Sequence, residues 1–214
     1  MLKALIAAFF DSRPPKRRDD ARILNGRYNI ADRKRLRSNE REFFACRAES
    51  ITPHRITLTA PVIGGIEDWI TAQFDDLGEL NGRICGHRHG GFAVDIVASA
   101  KERNQLASKL DWLARNKRLE VQDARGHRRL IPREPLSTLI LADGNTPRCF
   151  VIDMSVFGAS VSAQIVPEIG TPVAVGTIIG RVARHMTEGF AIRFIEQQDP
   201  DDLERRLIKP RLHR

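Results

Sequence analysis

Aromatic side chains are scarce in this sequence: ten Phe, two Trp and one Tyr among 214 residues. Proteins that grip single-stranded nucleic acid stack its bases on such rings, so that platform is poorly supplied here. Cysteine is nearly absent too. Cys46, Cys85 and Cys149 lie far apart with no Cys-x-x-Cys pair, which argues against a disulfide framework or a zinc knuckle and fits a reducing cytosol. The apolar opening, residues 1–10, falls well short of the roughly 20 residues that span a bilayer, and no small-residue cleavage site follows it. No export signal is expected. Leu2, Leu5, Ile6 and Phe9 fall near helical spacing with Lys16, Arg17 and Arg18 behind them, a pattern that allows only a weak membrane-surface contact through residues 1–18. A nucleophile paired with an evident base, a phosphate-cradling glycine loop with its lysine and a metal cluster are all missing, so the chain is not expected to be an enzyme. His87, His89 and His185 lack companion ligands at metal-binding spacing and read as exposed hairpin histidines. Neither a metal nor a cofactor is called for.

What is plentiful is basic charge. Lys and Arg number 35 against 27 Asp and Glu, a formal charge of +8, which concentrates anionic partners near the surface. Hydrophobic residues at 42% and charged residues at 29% suit a packed globular chain. Sliding the sequence against itself exposes a repeat: Gly82, Arg83, His87, Gly91, Phe92 and Ala93 recur without a gap as Gly180, Arg181, His185, Gly189, Phe190 and Ala191, six of twelve aligned positions. Such a self-match marks a duplicated structural unit. Short alternating segments at 22–30, 42–49, 55–60, 69–75, 81–87 and 91–96, then 136–141, 148–153, 159–165, 172–175, 177–185 and 189–195, predict six strands per copy, with Gly and Pro between them. Six short strands with hairpin-length turns suit a small closed antiparallel barrel, because closure removes exposed edges. A helix over 101–117 and a shorter one beginning at Pro200 follow the two copies.

Two further patterns carry chemistry. After the first helix comes Arg125-Gly-His-Arg-Arg-Leu-Ile-Pro-Arg133, and one strand later Asp153-Met-Ser-Val-Phe-Gly158. An Arg-x-x-x-Arg pair leading into a barrel, followed by Asp-x-Ser-x-x-Gly after its second strand, resembles the PilZ family. The match falls on Arg129 and Arg133 and on Asp153, Ser155 and Gly158, and it covers the second copy from about residue 125 to 195. The resemblance implies a six-stranded, split-barrel type of fold, binding of cyclic di-GMP, and a bacterial cytoplasmic signalling role.

The residue types suit that ligand on physical grounds. Arginine's planar fork, always charged, serves both a phosphate and the O6 and N7 edge of guanine, and Arg128 is a plausible third positive contact. Asp153 repels phosphate, so its use is to accept from guanine N1 and N2 or to orient an arginine. Ser155 offers a hydroxyl to phosphate or base, and Gly158 permits a turn without a Cβ against the ligand. In the first copy Glu49, Ile51 and His54 stand where the pattern wants Asp, Ser and Gly, although Arg13 and Arg17, and Arg18 and Arg22, keep the arginine spacing. That copy is expected not to bind alone. The chain thus divides into an N-terminal segment 1–20, a degenerate barrel with linker helix 21–118 and a binding barrel with C-terminal helix 119–214. Ligand binding would order the linker, reorient the domains and signal to an unidentified protein partner. The rival is a basic nucleic-acid-binding or protein-interaction module, motivated by the charge and by the tail Lys209-Pro-Arg-Leu-His-Arg214.

Overall fold

A computed structural model describes residues 24–31, 42–115 and 129–208. The first copy forms β1 (Leu24–Ile30), β2 (Phe44–Ile51), β3 (Arg55–Thr59), β4 (Trp69–Phe74), β5 (Gly78–Arg88), β6 (Gly91–Ile96) and α1 (Ala100–Arg115). The second forms β7 (Leu136–Leu141), β8 (Arg148–Ser155), β9 (Gly158–Ala163), β10 (Pro172–Val175), β11 (Ile178–Met186), β12 (Gly189–Phe194) and α2 (Pro200–Leu207). Each set of six strands closes into an antiparallel barrel with the same order: β1-β2-β3-β6-β5-β4 in one, β7-β8-β9-β12-β11-β10 in the other. The expected fold is the observed one. The fifth strand is longer than the sequence suggested, because β5 begins at Gly78 and pairs with β4 as far as Phe74.

Alternation builds each core. Tyr28, Phe44 and Phe92 point inward and pack with ring centroids 5.7 and 5.5 Å apart, a spacing suited to edge-on aromatic contact. Leu139, Val151, Val161 and Phe190, all with no exposed surface, fill the second barrel. Each helix covers its own barrel: Leu106 and Leu113 of α1 join the first core, Leu203 and Leu207 of α2 the second. Local signals set where the helices begin. Ser99 and Glu102 form a reciprocal capping box, the Ser99 N–H donating to the Glu102 carboxylate at 2.7 Å, and Asp199 caps α2 by accepting from the Asp201 N–H at 2.9 Å.

The repeated signature turns out to be architectural. A Cβ on Gly91 would sit 1.8 Å from the Leu58 carbonyl oxygen, and one on Gly189 would sit 2.1 Å from that of Val161. The backbones therefore approach too closely for any other residue. The Arg83 guanidinium donates to the Glu67 carbonyl at 3.2 Å, as Arg181 does to Gly170 at 3.1 Å. His87 Nε2 lies 2.8 Å from the Gly64 carbonyl, and His185 Nε2 2.8 Å from that of Pro167. The histidines are exposed, as the sequence suggested, but each latches the loop before its fourth strand. Among the described residues no group of three or more His, Cys, Asp or Glu is placed to hold a metal, and no helix is long and apolar enough to cross a membrane.

Candidate functional site

The second barrel's hairpin between β8 and β9 has only Val156 and Phe157 between its strands, and that fixes the register. Ser155 opposes Gly158, Met154 opposes Ala159 and Asp153 opposes Ser160. A bulge between Val151 and Asp153 inserts Ile152 and turns Asp153 to the outer face while Met154 stays buried. Residues directly opposed across antiparallel strands share a face, so two outward rows cross β8, β9, β12 and β11. One runs Ser155, Gly158, Arg193, Arg181; the other Asp153, Ser160, Ala191, Arg184. The floor of this surface is made of small residues, and arginines rise at its far side. With strands about 4.8 Å apart, the four span roughly 14 Å.

The arginine segment lies along β8. Leu130 makes an isolated antiparallel bridge to Met154, its N–H donating to the Met154 carbonyl at 2.8 Å and its carbonyl accepting from the Met154 N–H at 2.9 Å. The Pro135 carbonyl accepts from the Val151 N–H at 2.7 Å. Pinned at both ends, the segment presents Arg129 to Asp153: Nη1 donates to the two carboxylate oxygens at 2.9 and 2.7 Å and approaches Ser160 Oγ at 3.4 Å. The pair is partly solvated, its side chains 39% and 25% exposed. Among the described residues these contacts run through Nη1, which leaves the rest of the fork for other acceptors.

Arg133 has an exposed side chain, while its backbone is held on both sides: its N–H donates to Glu204 Oε1 of α2 at 2.5 Å, and its carbonyl accepts from Arg47 of the first barrel at 2.9 Å. Ser155 Oγ donates to the Gly158 carbonyl at 3.3 Å and lies 3.4 Å from the Phe157 N–H, so it also braces the hairpin. Gly158 has a packing reason of its own, since a Cβ there would fall 2.3 Å from the Ile192 carbonyl oxygen. Arg128 lies outside the described residues, as do Arg125, Arg13, Arg17, Arg18, Arg22 and the apolar segment 1–18.

The first copy needs a corrected alignment. Leu58 opposes Phe92 as Val161 opposes Phe190, and the first barrel carries its own bulge, between Ala48 and Ser50. Counting from Leu58 and Val161, Thr57 corresponds to Ser160, Ser50 to Asp153, Thr52 to Ser155 and Arg55 to Gly158. Glu49, Ile51 and His54 are each one place off. Thr52 behaves as Ser155 does, its Oγ1 donating to the Arg55 carbonyl at 3.1 Å and accepting from the Arg55 N–H at 3.0 Å. The carboxylate is replaced by the Ser50 hydroxyl, and Arg55 at the glycine position is tied to Asp95 at 2.6 Å. The hydroxyl of the pattern persists in this copy, whereas its acid and glycine do not.

A cavity of about 550 Å³ lies between the barrels, lined by Arg27, Gln73, Asp75, Glu79, Ile152 and Glu188 among others. Three carboxylates against one arginine make it repulsive to a phosphate diester. The open face bearing Arg129, Asp153, Ser155, Arg184 and Arg193 has the opposite balance.

No family model matches the chain, and no curated protein matches it. Among solved structures it is similar to the PlzA protein of Borreliella burgdorferi in complex with c-di-GMP, at 14% identity over 86% of each chain and a TM-score of 0.27. It is similar to the Bacillus subtilis inhibitor of motility MotI/DgrA, at 12% identity over 87% of this chain and 94% of that one, TM-score 0.28. YcgR of Escherichia coli in complex with c-di-GMP matches at 14% identity over 86% and 80%, TM-score 0.24. Likeness at these scores decides nothing about the ligand.

Proposed function

We propose that this chain is a cyclic di-GMP receptor of the PilZ type, not an enzyme, acting in a bacterial cytosol. The observation that supports this most is the meeting of the two sequence motifs. Arg129, from the segment before the second barrel, is held against Asp153, with Ser155 on the neighbouring outer row of the same face. Asp153 orients the Arg129 guanidinium through one nitrogen, and the remaining donors engage the acceptor edge of guanine or a phosphate oxygen. Its own carboxylate discriminates for guanine, whose N1 and N2 donate where adenine offers no equivalent pair. Ser160, Ala191 and Gly158 form a low floor on which a base lies flat. Arg133, Arg184 and Arg193 supply positive charge around it, with Arg128 as a further contact from the linker.

The proposed output is a change in how the two barrels sit relative to one another, transmitted to a protein partner. A ligand shifts such an equilibrium only through differential affinity for the two arrangements. The arginine segment supplies it, because it touches β8, α2 and the first barrel at once. Small-angle scattering with and without saturating cyclic di-GMP checks this; an unchanged profile rejects reorientation while leaving binding intact. The basic face also supports a second reading, a surface for polyanionic nucleic acid. Salt separates the two: neutralising many phosphates gives a steep fall of affinity with ionic strength, and a ligand with two phosphates a shallow one.

A further inference from the structure

Arg47 sits on the outer face of β2, opposite Asn25 and Thr59, where an arginine is ordinarily solvated. It is only 7% exposed. A buried guanidinium is costly unless its donors are used, and two of them are used on the segment that leads into the other barrel. Nη1 donates to the Pro132 carbonyl at 3.0 Å and the Arg133 carbonyl at 2.9 Å, while Nε donates to Asn25 Oδ1 at 3.1 Å. The guanidinium lies over the Phe150 ring, 5.9 Å from its centroid. Among the described residues Nη2 is buried without a hydrogen-bond partner. Burial draws its pKa below the ordinary value, opposed by the carboxylates of Glu134, Glu204 and Glu49.

The two carbonyls it holds belong to the peptides on either side of Arg133, and Glu204 holds the N–H of Arg133. By register Phe150 is the second barrel's counterpart of Arg47, each lying one place before the residue that opposes Leu58 or Val161. Equivalent positions of the two copies thus face each other, one basic and one aromatic. We infer that Arg47 is a positioning residue for the arginine segment, so that the degenerate first barrel serves as the clamp that presets the binding face of the second. This rests on reading that segment as a ligand site.

The test uses the full chain with Arg47→Met, which keeps the stem and removes the donors, and Arg47→Lys, which keeps the charge but cannot span two carbonyls and Asn25. Hydrogen exchange of the 129–135 segment, without ligand, is expected to quicken about tenfold in both variants while strands β1 to β6 stay protected. Affinity for cyclic di-GMP should fall about tenfold, as expected when the competent arrangement is populated a tenth as often. Should the methionine variant fail to fold, the lysine variant decides. Unchanged exchange in the segment overturns the inference whatever the affinity does. A parent protein that binds no cyclic di-GMP removes the receptor reading, and exchange alone then decides for or against the clamp.

Discussion

Replacing Arg129 or Asp153 by alanine separates a binding pair from a structural one, because the two roles predict opposite rankings of stability and affinity. The Arg129–Asp153 contact is short, 2.7 Å, but both side chains keep solvent access, 39% and 25%. Such an exposed ion pair contributes about 0.2–1 kcal/mol to folding, so each variant should unfold in urea within about 1 kcal/mol of the parent. Once a ligand covers the face, removing either partner strands the other beside a desolvated base or phosphate, at about 2–5 kcal/mol. That is a roughly 30- to 4,000-fold loss of affinity. The double variant should lose little more than either single one, since residues in direct contact do not add independently. Calorimetric titration with cyclic di-GMP and urea denaturation of the same three preparations provide both readouts. Variants that lose several kcal/mol of stability yet bind like the parent would refute the assignment and make the pair a brace.

The three thiols should differ sharply in reactivity. Burial pushes Cys149 up to about 12 and Cys46 higher still, so both stay protonated and shielded at pH 8. Half-exposed Cys85 is also raised, by desolvation and then by its hydrogen bond to Asp95, and intact-mass spectra after iodoacetamide should show slow single labelling there, with three labels in denaturant. Glu67 adopts φ 69°, where the corresponding position of the second barrel is Gly170 with φ 87°; Glu67→Gly should therefore stabilise by about 1 kcal/mol, read as a higher denaturation midpoint. Gly91→Ala, with its Cβ directed 1.8 Å from the Leu58 carbonyl oxygen, should cost about 1–3 kcal/mol or more in the same assay. Arg193→Glu, on an exposed position of the candidate face, should leave stability within about 0.5 kcal/mol. It should slow association with cyclic di-GMP and flatten its salt dependence, both measurable by stopped flow.

The barrels were legible because alternation and duplication are properties of the chain itself. Gly91 and Gly189, and Phe92 and Phe190, recur because each copy needs the same close approach and the same core ring. What alternation cannot display is a bulge. The extra residues Glu49 and Ile152 interrupt the period of two at equivalent places and so cancel between the copies; it is the likeness of one acid to another, not register, that sets Glu49 rather than Ser50 against Asp153. Ser160 was within reach of the sequence: a two-residue hairpin after Ser155 dictates that position 153 opposes position 160. Arg184 and Arg193 were not, because β12 pairs with β9 across the barrel rather than through a hairpin, so no turn length fixes that register. Arg47 leaves no local trace, because its partners lie 85 and 86 residues away on another barrel. Three-dimensional closure alone brings them together.

The most direct measurement is calorimetric titration of the purified full chain with cyclic di-GMP, with GTP and an unrelated dinucleotide as controls, repeated across a range of salt concentrations. A saturable heat for cyclic di-GMP alone, weakening only gently with salt and lost in Asp153→Ala, is the predicted result. Equal heats from all three nucleotides, or none from any, would contradict a guanine-selective face built from Arg129, Arg133, Asp153 and Ser155.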